Sequence, residues 1–231
     1  MAMISVKNLT KKYGDKAVFD NFSIEFEDKK ITAVLGESGV GKTTLLNVVS
    51  GLTDFDGEVK REGELSFVFQ TDRLAKNLTV WQNLKLVLKD IPDEKIESAL
   101  SSVGLLSAKD LYPKELSAGM ARRVAIIRAF LFPSDVLLMD EPFINLDVSL
   151  KISLMNTVKS MQSSSPKTVV FVTHDVKEAT FLSDRIVVID GGKIIRDQKT
   201  VNEKTEREIF DLFIKRAAER DKLSVYNENK N

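Results

Sequence analysis

The run Gly36-Glu37-Ser38-Gly39-Val40-Gly41-Lys42-Thr43-Thr44 brings together glycines, a lysine and two adjacent hydroxyls, a set that can hold phosphate. Glycine lets the backbone curl tightly and approach an anion with no Cβ in the way. A curled backbone aims successive N–H groups inward at the anion. Lys42 would reach the terminal phosphates, and the Thr43 hydroxyl would bind Mg²⁺. The apolar Ile31–Leu35 before the loop reads as a buried strand. Leu45–Val49 after it reads as a helix, whose positive N-terminal end would face the anion. Strand, glycine loop, Lys-Thr and helix in this order point to a nucleotide rather than to an ordinary glycine-rich turn.

Five further residues could complete such a site. Asp140-Glu141 follows the apolar Val136–Met139, at the strand end where open α/β sheets bind ligands. Two carboxylates beside a triphosphate repel it unless Mg²⁺ lies between. Asp140 therefore reads as a metal partner through water, and Glu141 as the group that polarises attacking water; the competing reading is an acidic helix cap. His174, the only histidine, ends the apolar Thr168–Thr173 and can donate to a γ-phosphate, although structural histidines are common. Gln70 ends Leu65–Phe69 and offers an amide to Mg²⁺ or water without adding charge. Tyr13, before Gly14 in a polar turn, can stack on a flat base or simply be a surface tyrosine.

Leu116-Ser117-Ala118-Gly119-Met120, ahead of Arg122 and Arg123, places small residues and a hydroxyl at a helix start, a second anion site. One chain with a complete site and a spare helix start suggests two copies facing each other, each lending Ser117 and Gly119 to the other's nucleotide.

These groups need a scaffold. Strand patterns recur at Ile4–Leu9, Ala17–Glu27, Ile31–Leu35, Leu65–Phe69, Val136–Met139 and Thr168–Thr173. Arg185–Ile189 and Lys193–Ile195 read as a hairpin around Gly191-Gly192, and Asp56-Gly57-Glu58 and Glu62-Gly63-Glu64 as turns around a short strand. Residues 72–116 show helical periodicity only, with Val80, Leu84, Val87 and Leu88 on one face and Asp93-Glu94 opening a second helix. Helices are also expected from Ser117 to Pro133, from Ser149 to Gln162, from Asp175 to Leu182 and from Glu203 to Arg220, with Asn227–Asn231 a frayed tail. Alternating strands and helices give an α/β fold with a mainly parallel sheet.

Composition removes other classes. Lys plus Arg equals Asp plus Glu, so the basic excess expected of a nucleic-acid binder is missing. Without cysteine there is no disulfide framework and no thiolate metal site. No signal peptide is expected ahead of the first strand, and no apolar run approaches the ~18 residues of a membrane span. A chain soluble by itself is expected, with any membrane span supplied by a partner.

Tyr13, the Gly36–Thr44 loop, Gln70, Leu116–Met120, Val136–Glu141, Asn145-Leu146-Asp147 and His174, in this order, resemble the motif series of ABC transporter nucleotide-binding subunits over about residues 4–195. The resemblance implies a single ABC ATPase domain over residues 1–231, built on a P-loop NTPase core. That core carries N-terminal antiparallel strands, a helical subdomain at 72–116 and a C-terminal helix and tail at 203–231. It implies ATP hydrolysis to ADP and phosphate, with adenine on Tyr13 and the phosphates on Gly36, Glu37, Ser38, Gly39, Val40, Gly41, Lys42, Thr43 and Thr44. Mg²⁺ would lie at Thr43, Gln70 and Asp140; Glu141 would be the catalytic carboxylate, His174 the switch histidine and Lys42 the third catalytic group. Ser117 and Gly119 would contact ATP on the opposite subunit, with Asp147 at the dimer seam.

The implied partners are a second ATPase subunit in a homodimer, an integral membrane permease and an extracytoplasmic solute-binding protein, with no nucleic acid. The implied location is peripheral, on the cytoplasmic face of the cell membrane. Ala118 and Met120 depart from the usual LSGGQ motif, and the added methyl is expected to be tolerated with some loss of rate. Ile144-Asn145 replaces the usual small pair before Leu146-Asp147. Met120, with Glu141-Pro142-Phe143 and Phe69–Leu74, is similar to importers of the nitrate, sulfonate and taurine type, a group that includes carriers of thiamine-precursor pyrimidines. An efflux or lipid-extracting ATPase is the alternative. A soluble ATPase acting on nucleic acid or ribosomes lacks support in the charge balance and the absence of a long coiled-coil insertion or second cassette. A module without catalysis is disfavoured because Lys42, Asp140, Glu141 and His174 are all present.

Overall fold

The computed structural model describes the backbone of residues 2–228 and the side chains of residues 3–218. Its centre is a six-stranded sheet in the order β5-β6-β7-β3-β8-β9. The strands are β3 (Ile31–Leu35), β5 (Leu65–Val68), β6 (Val136–Asp140), β7 (Thr168–Thr173), β8 (Arg185–Asp190) and β9 (Lys193–Gln198). All neighbours run parallel except β8 and β9, which pair as the expected hairpin. Every residue of β3, β6 and β7 is buried, which is why these strands read as unbroken apolar runs: both faces are covered.

The two faces follow the period of two. Ala33, Leu35, Leu137, Met139, Val169 and Phe171 pack with α4 (Ala118–Leu131), α5 (Val148–Ser164) and α6 (Val176–Leu182). Val34, Val136, Leu138, Val170 and Val172 pack with α1 (Lys42–Ser50) and a three-stranded antiparallel sheet. That sheet has the order β2-β1-β4, from β1 (Ala2–Tyr13), β2 (Lys16–Glu27) and β4 (Asp56–Arg61). Its strands are bulged. Asn8 (φ 51) and Asn21 (φ 52) take left-handed backbone, and the pairing shifts between Leu9↔Phe22 and Lys11↔Phe19. The bulge explains the broken alternation between Phe19 and Phe22.

Four sequence expectations are corrected. Asp56-Gly57-Glu58 opens β4 instead of forming a turn: Asp56 pairs with Thr10 and Glu58 with Lys7. Gly57 is needed at the bulge, where φ is +117 and a Cβ would sit 2.6 Å from the Asn8 carbonyl oxygen. Val87 is exposed, because α2 (Val80–Lys85) ends early and Val87 N–H bonds the Leu84 carbonyl three residues back, turning the side chain outward. The final helix, α7 (Thr205–Glu228), starts after a turn held by the Asn202 side chain, which accepts from Lys204 N–H at 3.0 Å. That helix includes Asn227, which had been placed in a frayed tail; residues 229–231 lie outside the described residues. Finally, β1 runs on to Tyr13, so this residue ends a strand just before the Gly14 turn.

Between β5 and β6 lie α2, α3 (Asp93–Ser102), two short 3-10 turns and α4, with no strand among the described residues. Buried Asn83 orders the entry to α2: its Oδ1 accepts from Ala75 N–H at 2.7 Å, and its amide donates to the carbonyls of Ala75, Leu78 and Thr79. No helix of the described residues is long and apolar enough to cross a membrane.

Candidate active site

Parallel register brings chemistry from distant stretches to one sheet edge. Leu35 pairs with Thr173, Asp140 with Val172 and Val68 with Met139. Gly36, His174, Glu141 and Gln70 consequently emerge side by side.

The loop Gly36–Gly41 turns directly into α1. Gly41 is the helix N-cap at φ +107, and a Cβ there would lie 2.6 Å from Val18 Cγ1. Only glycine fits both the backbone angle and the space. Lys42, 6% exposed, folds back over the loop and donates to the carbonyls of Gly36 at 2.8 Å and Glu37 at 2.9 Å. Its Nζ is also 3.6 Å from Glu141 Oε1. Burial pushes the Lys42 pKa down, against the pull of Glu141. Thr43 Oγ1 donates to Asp140 Oδ1 at 3.1 Å. Burial raises the Asp140 carboxyl above its ordinary range; the Thr43 bond opposes this and neighbouring Glu141 reinforces it. A hydroxyl, a carboxylate and the nearby Gln70 amide form a hard-oxygen set suited to Mg²⁺.

Glu141 is the most constrained of these residues. Its φ is +46, a left-handed backbone costing a non-glycine residue about 1–3 kcal/mol unless neighbours hold it. Its N–H donates to the Val172 carbonyl of β7 at 3.0 Å. Its carboxylate lies 3.0 and 3.2 Å from His174 Nδ1, the donor in the tautomer this contact requires. The His174 ring is otherwise exposed, but its chain neighbours are anchored. Thr173 Oγ1 donates to buried Glu178 at 2.6 Å, and Lys151 of α5 binds both Glu178 (2.6 Å) and Asp175 (3.0 Å). Burial pushes the Glu178 carboxyl up, against its bonds from Lys151 and Thr173.

Two adjoining cavities receive these groups. One, of about 480 Å³, is lined by Gly36, Glu37, Ser38, Gln70, Glu141 and His174, with Ile144 and Phe213. The other, of about 360 Å³, reaches from Lys42, Thr43 and Thr44 past Gly39 and Gly41 to Tyr13, Lys16 and Val18. A larger cavity of about 800 Å³ lies between α3, α4 and α5 and touches none of the expected site residues. The structure thus gathers Tyr13, the phosphate loop, Gln70, Asp140, Glu141 and His174. Val40, within the loop, packs partly buried against the core.

Ser117 and Gly119 are not gathered there. Ser117 Oγ caps α4 by accepting from Met120 N–H at 3.2 Å, and Gly119 faces Leu146 and Leu150 at the start of α5. Asp147 caps α5, accepting from Leu150 N–H at 2.9 Å. Of the two arginines that follow, Arg122 is buried, and Arg123 donates to the Gly119 carbonyl of the helix start and to that of Val103.

Sequence reasoning missed Lys16, Val18, Ile144 and Phe213. The Gly14-Asp15 turn, read as a hairpin, pairs Tyr13 with Lys16 and would have found the first two. Phe213 comes from α7, with no local signal linking it to the loop. Arg122 was findable: it falls four residues before Ile126, on the apolar face of a helical pattern.

The ABC transporter family model matches residues 19–144. The aliphatic sulfonates import ATP-binding protein SsuB 2 of Paracoccus denitrificans is 38% identical over 195 residues, covering 84% of this chain and 80% of that protein. The Fe(3+) ions import ATP-binding protein FbpC of Fusobacterium nucleatum is 37% identical over 209 residues, 83% of this chain and 56% of its own length. Among solved structures, the dimeric post-hydrolysis state of the ATP-binding cassette MJ0796 bound to ADP and Pi superposes with a TM-score of 0.77. It is 27% identical and covers 87% of this chain and 99% of its own.

Proposed function

The chain belongs to the ABC transporter family as an import-type ATPase, and from that premise we propose that it powers uptake of a small solute as one half of an ATP-closed dimer. The observation that carries this reading is the placement of Glu141 between Lys42 Nζ and His174 Nδ1, at 3.6 and 3.0 Å.

Each residue has a derivable task. The loop N–H groups and the start of α1 hold the phosphates. Lys42 exchanges the Gly36 and Glu37 carbonyls for phosphate oxygens, gaining charge-assisted bonds. Tyr13 stacks on adenine. Mg²⁺, held through Thr43, Gln70 and Asp140, would neutralise phosphate charge when bound. Glu141 orients a water and accepts its proton as the water oxygen bonds to the γ-phosphorus and the bond to the β–γ bridging oxygen breaks. His174 turns its ring from Glu141 toward the γ-phosphate. Ser117 and Gly119, remote from their own cavity, meet the nucleotide of the second copy, with Asp147 at the seam.

The remaining assignments follow the family resemblance. Residues 72–116 form a helical subdomain that grips a membrane permease, placing the chain peripherally on the cytoplasmic face of the membrane, with a solute-binding protein in the complex. The solute is of the nitrate, sulfonate or taurine type or a pyrimidine precursor, as Met120 and the likeness to a sulfonate importer ATPase support. Glu141→Gln tests the catalytic reading: phosphate release should fall at least ~100-fold while ATP drives a stable dimer on gel filtration. Undiminished hydrolysis overturns it. Mass spectrometry of small molecules retained by the co-purified transporter tests the solute class, and retained iron or polyamine overturns it.

A further inference from the structure

Arg122 is 3% exposed on the apolar face of α4, where a charge is costly unless its donors are satisfied. Its guanidinium bridges the ends of two strands. Nη1 donates to the Phe69 carbonyl at 2.5 Å and to Asp72 Oδ1 at 3.2 Å. Nη2 donates to the Glu141 carbonyl at 2.7 Å and lies 3.5 Å from that of Asp140. Phe69 immediately precedes Gln70. Arg128, further along α4, adds bonds to the carbonyls of Asp72 and Arg73. Arg73 has φ +47, and its guanidinium stacks on the Phe69 ring at 3.5 Å. The loop carrying Gln70 is therefore gripped by one helix along its length, and that helix also holds the left-handed backbone of Glu141.

We infer that Arg122 is a positioning residue for hydrolysis: its planar fork fixes the main chain of Glu141 and Phe69, and so aims the Glu141 carboxylate and the Gln70 amide into the phosphate cavity. The inference rests on the catalytic reading of Glu141. Fork geometry is the essential property, because a lysine ammonium keeps the charge beside Asp72 but cannot serve two strand ends in one plane. There is a second consequence. Ser117 starts the helix that Arg122 locks to Glu141, so the end of α4 offered to a partner's nucleotide is joined rigidly to the catalytic group of its own site.

The test compares Arg122→Lys and Arg122→Met with Glu141→Gln in the full chain, measuring kcat, KM, equilibrium ATP binding and thermal melting. Arg122→Lys should fold and bind ATP within about twofold of the native chain, while kcat falls on the order of 10- to 100-fold, the penalty of a misplaced catalytic group. Arg122→Met should lose at least as much. Native kcat in Arg122→Lys overturns the inference, as does a parallel loss of kcat and ATP affinity. Failure of both variants to fold also overturns it, since Arg122 would then serve stability alone. Normal hydrolysis in Glu141→Gln is a separate failure, of the catalytic reading itself.

Discussion

The Lys42 ammonium and the Glu141 carboxylate face each other across 3.6 Å, the lysine rooted in α1 and the glutamate just beyond β6. Both side chains are largely buried, at 6% and 12% exposed. On the proposed catalytic reading, an arriving phosphate would compete for the lysine and free the glutamate, making ligand entry and activation of the base one event.

Lys42→Met should abolish that competition. ATP affinity is expected to drop on the order of 100-fold, reflecting lost charge-assisted bonds. Equilibrium binding checks this, and a near-native dissociation constant would refute the phosphate role.

His174→Ala removes the hydrogen-bond partner of the Glu141 carboxylate. A fall in kcat of about 100-fold with little change in KM is expected. A raised KM at native kcat would instead make the histidine a ground-state binding group.

Tyr13→Ala should raise the KM for ATP by roughly 5- to 150-fold, the span of a lost base–aromatic stack worth about 1–3 kcal/mol. Tyr13→Phe keeps the ring and should be near native. Equal losses in both variants would shift the credit to the hydroxyl.

Lys151 holds two acids, one of them fully enclosed. Lys151→Met strands Glu178 without its cation and should cost about 3 kcal/mol in urea unfolding. Adding Glu178→Gln should recover part of that loss, and strict additivity of the two changes would contradict the coupling.

Acid stability should report the Arg185–Asp197 pair, joined by two bonds of 2.8 Å. Those bonds hold the Asp197 carboxyl below its ordinary value of 3.8, with burial opposing. A carboxyl lowered in the folded state stabilises at pH above its unfolded value and loses that contribution as pH falls through the folded one. Melting points of Asp197→Asn should therefore decline less steeply than native below about pH 4. Parallel curves would show the pair to be neutral.

The sheet and its site edge were legible because buried parallel strands leave continuous apolar runs, and because Gly36–Thr44, Asp140-Glu141 and His174 each sit just past one. β4 was harder: Gly57 serves a bulge, yet in sequence it mimics a turn. Val87 and Leu88 differ in exposure because the last turn of α2 tightens, which periodicity cannot resolve. Phe213 and the Lys151–Glu178 link depend on packing between elements far apart in the chain, and no local pattern encodes that proximity.

The shared register of β3, β6 and β7 has a thermodynamic corollary. Slipping any one strand by a residue would scatter donors supplied by separate stretches of polypeptide, so the complete site exists only in the folded sheet. Ligand occupancy and global unfolding are then linked through a single equilibrium, and saturating nucleotide shifts the whole melting transition instead of sharpening one part of it.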